Sequence, residues 1–474
     1  AFMSFIDPLF LFVFFPLLYA ACLTENTRIG AKKWTLLVAS VLFYWWGEPL
    51  FVPVLLLTSV LDYYLSLKIH GSDVERDRKV YVAIGVVANL ALLCFYKYAD
   101  FIVANVNAAL APLATHRIDL LQIALPIGVS FVVFERITYL VDTYRRTSEP
   151  APSFWDYGLF VFFFPKLLAG PILKFHEMRA QITAPPVIVW SDFAGGLLRF
   201  SRGLAKKLLI ADPVGTFADT VFGADPSNLS MQSAWLGLIC FALQIFFDFS
   251  GYSDMAIGLA RMLGFRLREN FNAPYTARSI TDFWRRWHIS LTTWIRDYLY
   301  VPLGGNRGGA WRTYFNLWIC FLASGLWHGA SWNFVLWGAY NGLFLMLDRL
   351  FLAWVLERLG AVLSTAITLV IVLFGWAIFR CGTLEHIGGL IVTLTDFSRT
   401  GTSLIMPADV PALMIVGIAC CLVPALPAWH RLELRYDAST WLRTGTAAVL
   451  LSFYVLSVAR ASAVPFKPFI YFRF

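Results

Sequence analysis

Long blocks almost devoid of charge recur along this chain, among them 50–67, 80–95 and 361–379. Each approaches the roughly 20 residues a helix needs to cross a bilayer. A soluble core of this size would alternate polar and apolar faces along its helices, and these blocks do not. Composition agrees: 59% of the 474 residues are hydrophobic and 14% charged, against about 25% charged in a typical soluble domain. The mean hydropathy is +0.66. The chain reads as an all-α, polytopic integral membrane protein.

Spans are expected at 8–22, 34–46, 50–69, 80–96, 120–141, 233–249, 314–326, 334–351, 361–379, 410–426 and 444–458, about eleven in all at a spanning length of roughly 20 residues. The stretch 89–117 leaves room for a further half-helix. Basic residues punctuate the loops: Arg28, Lys32 and Lys33; Arg76, Arg78 and Lys79; Arg145 and Arg146; Lys206 and Lys207; Arg431, Arg435 and Arg443. Assigning them to the cytoplasm puts both termini outside. The net charge of +8 is thereby explained without nucleic acid. The first apolar stretch lacks the basic leader and small-residue cleavage site of a signal peptide. The seven cysteines show no CxxC spacing, which argues against a metal site or disulfide framework.

The segment 254–310 is too polar to span and too aromatic to be a solvated linker. Irregular backbone at membrane depth is tolerated where protein buries it or water reaches it. Together with Phe160 to Pro171, it is expected to line a funnel opening from the cytoplasm, with re-entrant or interfacial helices around a central tunnel.

Two histidines stand out: His288, in Asp282-Phe283-Trp284-Arg285-Arg286-Trp287-His288, and His328, in Gly325-Leu326-Trp327-His328-Gly329. An ionisable side chain at membrane depth tends to face a cavity or substrate path. Neutral imidazole can take a proton from a hydroxyl or thiol, so His328 is a candidate general base; the alternative is a structural histidine bonding a neighbouring helix. His288 beside Arg285 and Arg286 suits the entry of a phosphate-bearing donor, or equally an interfacial helix whose arginines reach headgroups. Asp248 and Asp254 are read as orienting a histidine or pairing with an arginine, with helix capping by Ser250 or Asp254 as the alternative. The turn Gly304-Gly305-Asn306-Arg307-Gly308-Gly309 lacks the Lys-Ser/Thr of a P-loop. The terminal Phe469-Ile470-Tyr471-Phe472-Arg473-Phe474 reads as an interfacial anchor, although the Tyr471 hydroxyl is able to accept an acyl group from a nearby base-assisted reaction.

Taken together, these motifs resemble the membrane-bound O-acyltransferase family in its polysaccharide O-acetylation branch. The resemblance rests on Asp248-Phe249-Ser250-Gly251-Tyr252-Ser253-Asp254, Glu269-Asn270-Phe271-Asn272-Ala273-Pro274-Tyr275, the two histidine motifs, and Tyr300-Val301-Pro302-Leu303-Gly304-Gly305-Asn306. It is densest over 244–341, within a single membrane-embedded domain covering 1–474, with an aromatic tail at 461–474. It implies His328, His288 and Tyr471 as catalytic, Tyr471 as a transient acyl carrier, and Asn270, Trp284, Arg285 and Trp327 as donor- or substrate-binding. No permanently bound cofactor and no metal is implied; acetyl-CoA is the expected donor, from the cytoplasm. A polysaccharide such as alginate or cellulose is the expected acceptor, reached through an extracytoplasmic SGNH-like acetyltransferase partner, and the bacterial inner membrane the expected location. A D-alanyl, lipid or protein acyltransferase, a transporter and a non-catalytic scaffold stand as alternatives.

Overall fold

The computed structural model describes residues 3–112, 117–168, 170–398, 400–463 and 467–470. Among them the fold is helical throughout, with one isolated bridge between Leu229 and Thr402 and no strand. Six helices are long and apolar enough to cross a membrane: Phe51–Gly71, Glu75–Leu110, Met231–Met262, Trp332–Arg358, Gly360–Arg380 and Thr440–Ala463. Of the shorter apolar helices, Phe10–Thr24 and Val410–Ala425 fall where further spans are expected, whereas Leu384–Thr395 lies where none is. The stretch 89–117 does hold a helical continuation, Ala99–Leu110. The expected span at 120–141 is redrawn: residues 117–126 are not helical, and the helix is Val129–Tyr144, entered through Gly128 in the left-handed region at φ 79°.

The chain packs as two compact units. The first comprises Ala1–Leu197 and Ala256–Arg268. At its centre the Asp62 carboxylate accepts from Arg136 Nε at 2.7 Å, Asn89 Nδ2 at 2.9 Å and the Tyr157 hydroxyl at 3.0 Å. Paired from three sides, this charge is tolerable inside an apolar bundle. Lys166, in the aromatic stretch expected to line a funnel, is instead fully buried against the Glu135 carboxylate, which also accepts the Leu173 N–H at 3.1 Å.

The second unit comprises Leu198–Met255 and Glu269–Phe474 and carries every described residue singled out as a candidate site. A helical hairpin, Gly309–His328 followed by Trp332–Leu347, forms one wall. It closes tightly because Gly325 and Gly338 face the partner backbone: a Cβ on Gly325 would lie 2.2 Å from the Phe334 carbonyl oxygen, and one on Gly338 2.4 Å from that of Phe321. Small residues let membrane helices approach where no hydrophobic force drives them together. His328 is the last residue of the first arm, so the tight hairpin fixes its height.

A histidine pair between two cavities

Two short helices build the floor of the site. Ser279 caps Ile280–Arg286 by accepting the Asp282 N–H at 3.1 Å, and Arg286 closes an ion pair back to Asp282 at 2.8 Å. Arg286 is thereby committed, whereas Arg285 forms no ion pair among the described residues. The next helix, Ile289–Ile295, begins at His288 with φ 44° and ψ 53°. That left-handed conformation costs a non-glycine residue roughly 1–2 kcal/mol, so the surroundings must hold it.

Asn270 does the holding. Its carbonyl accepts the Ile289 N–H at 2.9 Å, while the neighbouring Asn272 N–H donates to the Arg286 carbonyl at 2.9 Å. Its side-chain Oδ1 accepts from the Ser290 N–H at 3.1 Å and the Ser290 hydroxyl at 2.9 Å, with His288 Nδ1 at 3.2 Å. An amide oxygen only accepts, so His288 carries its proton on Nδ1 when neutral. Burial, and then the charge a protonated His328 would carry, push the His288 pKa well below 6.5. The ring lies in the connection outside the six long helices.

His328 is held the same way by a different partner. Its Nδ1 lies 2.6 Å from the Ser324 carbonyl oxygen, one turn back on the same helix. The carbonyl can only accept, so Nδ1 donates, and the lone pair is left on Nε2. The ring is packed by Trp337 at 4.9 Å between centroids, Trp327 at 5.0 Å and Phe379 at 5.5 Å. Trp327 also contacts His288, at 5.9 Å. Two imidazoles 40 residues apart in sequence therefore flank one indole.

Neither histidine is in the lining of the two cavities nearby, but the residues that hold the rings are. The larger, about 680 Å³, is lined by Arg199, Arg202, Lys206, Asp254, Glu269 and Asn270, with an apolar wall that includes Phe453. Its cations are neutralised locally: Arg199 reaches Asp254 at 2.7 Å and Glu269 at 2.5 Å, and Lys206 reaches Asp254 at 2.8 Å. The smaller, about 490 Å³, is lined by Trp284, Arg285, Arg296, Ser324 and Arg349, and by no carboxylate. Buried Trp284 contacts Trp337 at 5.6 Å, and its indole N–H has no hydrogen-bond partner among the described residues. Asn270, which holds His288, belongs to the first cavity; Ser324, which holds His328, belongs to the second.

Ser250 and Asp254 are not caps: the Met231–Met262 helix runs straight through both, and through Asp248. Asp254 serves the arginine–lysine cluster. Asp248 forms an ion pair with Lys207 at 3.0 Å and accepts the Ile470 N–H at 2.8 Å. Phe469 stacks near Phe249 at 5.6 Å, and Phe249 meets the His288 ring edge-on at 4.6 Å. Tyr471 follows Ile470 in the chain and lies outside the described residues. In the glycine turn, Asn306 accepts from Tyr300 and Arg349. Among the described residues, no three His, Cys, Asp or Glu side chains cluster as metal ligands would.

Sequence reading pointed to both histidines, Trp327, Trp284, Arg285 and Asn270, and the second unit contains all six. It missed Lys207, Ser324 and Phe379. Only Lys207 carried a signal, as a cation expected in a loop that is instead buried.

The membrane-bound O-acyltransferase family profile matches residues 78–376. The chain is 36% identical to the probable alginate O-acetylase AlgI of Pseudomonas putida, with both chains covered in full. It is 39% identical to the protein of that name from Pseudomonas aeruginosa, over 87% of this chain and 79% of the relative. It is 33% identical to the peptidoglycan O-acetyltransferase of Helicobacter pylori, over 98% and 97%. A helical membrane body, an ordered set of histidine motifs and these relatives converge: the chain is an acyltransferase belonging to the membrane-bound O-acyltransferase family.

Proposed function

We propose that the protein passes an acetyl group from a cytoplasmic donor, acetyl-CoA, through the bilayer for O-acetylation of an extracytoplasmic polysaccharide. The observation that carries this reading is the histidine pair on Trp327, whose partners Asn270 and Ser324 each line a cavity. The smaller cavity suits the donor. Its lining holds three arginines, of which Arg296 is paired with Asp297 at 2.7 Å while Arg285 forms no ion pair among the described residues, and a guanidinium suits a phosphate.

His328 acts as general base. With Nδ1–H committed to Ser324, Nε2 takes the proton of the acceptor hydroxyl, the phenol of Tyr471. The phenolic oxygen bonds to the thioester carbonyl carbon, the carbon–sulfur bond breaks, and the proton passes from His328 to the departing thiolate. An aryl acetate and free coenzyme A result. The ester then yields its acetyl group to an SGNH-like partner outside, which modifies a sugar hydroxyl. Tail docking supports the carrier role, because the residue preceding Tyr471 is anchored on the helix that bears Phe249. The relatives' names favour an alginate-like polymer, with peptidoglycan as the nearest variant. With Lys207 excepted, because it is buried on the Asp248 carboxylate that holds Ile470, basic loops on the cytoplasmic side, both termini outside and a bacterial inner-membrane location complete the reading.

Acetate measured on secreted polymer tests it. His328→Ala strains are expected to secrete unacetylated polymer, as are Tyr471→Phe strains. Normal acetylation in His328→Ala removes the mechanism; normal acetylation in Tyr471→Phe alone removes the carrier.

A further inference from the structure

We propose that Lys207 and Asp248 are positioning residues that grip the C-terminal segment by the Ile470 backbone, and that acyl transfer to the next residue depends on this grip. The proposal rests on the reading of Tyr471 as acyl acceptor. Asp248 lies within the Met231–Met262 helix and is 2% exposed. One carboxylate oxygen pairs with Lys207 Nζ at 3.0 Å; the other accepts the Ile470 N–H at 2.8 Å. Lys207, also 2% exposed, is held from its other side by Asp212 at 2.8 Å.

Buried ion pairs are weak contributors to stability, and apolar residues of similar volume commonly replace them without loss. What an apolar pair cannot do is accept a main-chain N–H. Because the grip is on the backbone, it fixes where residue 470 sits without reading its side chain. Two further contacts make the segment directional. Lys467 Nζ donates to Thr216 Oγ1 at 2.9 Å, on the Asp212–Gly223 helix whose first residue also holds Lys207. Phe469 packs on Tyr252 at 4.7 Å and Phe249 at 5.6 Å, and Phe249 abuts His288. Adjacent residues of one helix thus serve separate tasks: Asp248 holds the tail, and Phe249 links it to the imidazole.

The test incubates the full-length protein in detergent with acetyl-CoA labelled in its acetyl group, and follows both acetylation of the C-terminal peptide by mass spectrometry and the KM for donor. Ile470→Pro removes the gripped N–H and leaves Lys207 and Asp248 in place. Labelling of Tyr471 is expected to slow on the order of tenfold or more, as for loss of a hydrogen bond to a charged group, with donor KM unchanged. Ile470→Val keeps the N–H and is expected to retain labelling. Asp248→Leu, checked for monodispersity, is expected to show the same selective loss. Wild-type labelling rates in Ile470→Pro or in folded Asp248→Leu overturn the proposal and leave the carrier intact. No label on Tyr471 in the unaltered chain overturns the carrier reading itself, and the proposal with it.

Discussion

The Nδ1 of His328 sits 2.6 Å from the carbonyl oxygen of Ser324, four residues earlier on the same helix. That single contact selects the tautomer and leaves Nε2 to accept a proton. General-base contributions are typically 10²–10⁴-fold, so His328→Ala should lower acetyl transfer by about that factor. Polymer acetate normalised to protein in the membrane fraction measures it. A drop explained entirely by lost protein would count against a chemical role.

Arg285 and Arg286 are neighbours with different engagements. Arg286 is tied to Asp282 at 2.8 Å, whereas Arg285 lines the smaller cavity without an ion pair among the described residues. Arg285→Ala should raise the KM for the proposed donor, acetyl-CoA, on the order of tenfold, the scale of a charged hydrogen bond, and leave kcat nearly unchanged. Loss of binding common to ground and transition states has that signature. A fall in kcat at constant KM would place Arg285 elsewhere in the reaction.

Much of this site is legible in the sequence, for a physical reason. An imidazole within an apolar, tryptophan-rich run is costly, so His328 stands out on composition alone, and Trp327 beside it. Asn270 and Trp284 needed the ordered motifs around them. Other parts leave no local trace. The grip of Asp248 on Ile470 joins positions 222 residues apart through a backbone N–H, which no side-chain pattern encodes. Ser324 contributes only its carbonyl. The helix boundary near residue 120 was misplaced because an apolar run does not distinguish helix from extended chain; Gly128, at φ 79°, is where the helix begins.

His288 gives the fold an acid sensitivity. Burial, then the charge of His328, depresses its pKa below 6.5. Below that pH the unfolded chain takes up a proton that the native ring refuses, so unfolding becomes easier as pH falls and is insensitive to this group above it. The thermal midpoint in detergent should decline from pH 6.5 downward, and His288→Gln should flatten that decline. An equal acid slope in the variant would assign the effect to other groups.

Asn270 restrains a strained residue and satisfies two donors of Ser290. Asn270→Ala leaves those donors buried without their acceptor, at about 1–3 kcal/mol, and frees His288 from its left-handed conformation. Transfer activity should therefore fall further than the yield of folded protein. Activity per folded molecule, from parallel turnover and size-exclusion measurements, separates the two. Unchanged specific activity would show that the His288 backbone holds itself.

Gly325 tests whether the hairpin sets the position of His328. A Cβ there would meet the Phe334 carbonyl oxygen at 2.2 Å, a backbone atom with no rotamer to escape into. Gly325→Ala should separate the arms and cost about 1–3 kcal/mol, as overpacking does. Because His328 is three residues further along the same helix, the displacement should also lower turnover in the molecules that still fold. Gly445→Ala is the matched control, since a Cβ at that position meets nothing within 4 Å. If Gly325→Ala lost folded yield but kept full turnover per molecule, the histidine would owe its placement to the surrounding rings of Trp337 and Phe379 rather than to the closeness of the helices.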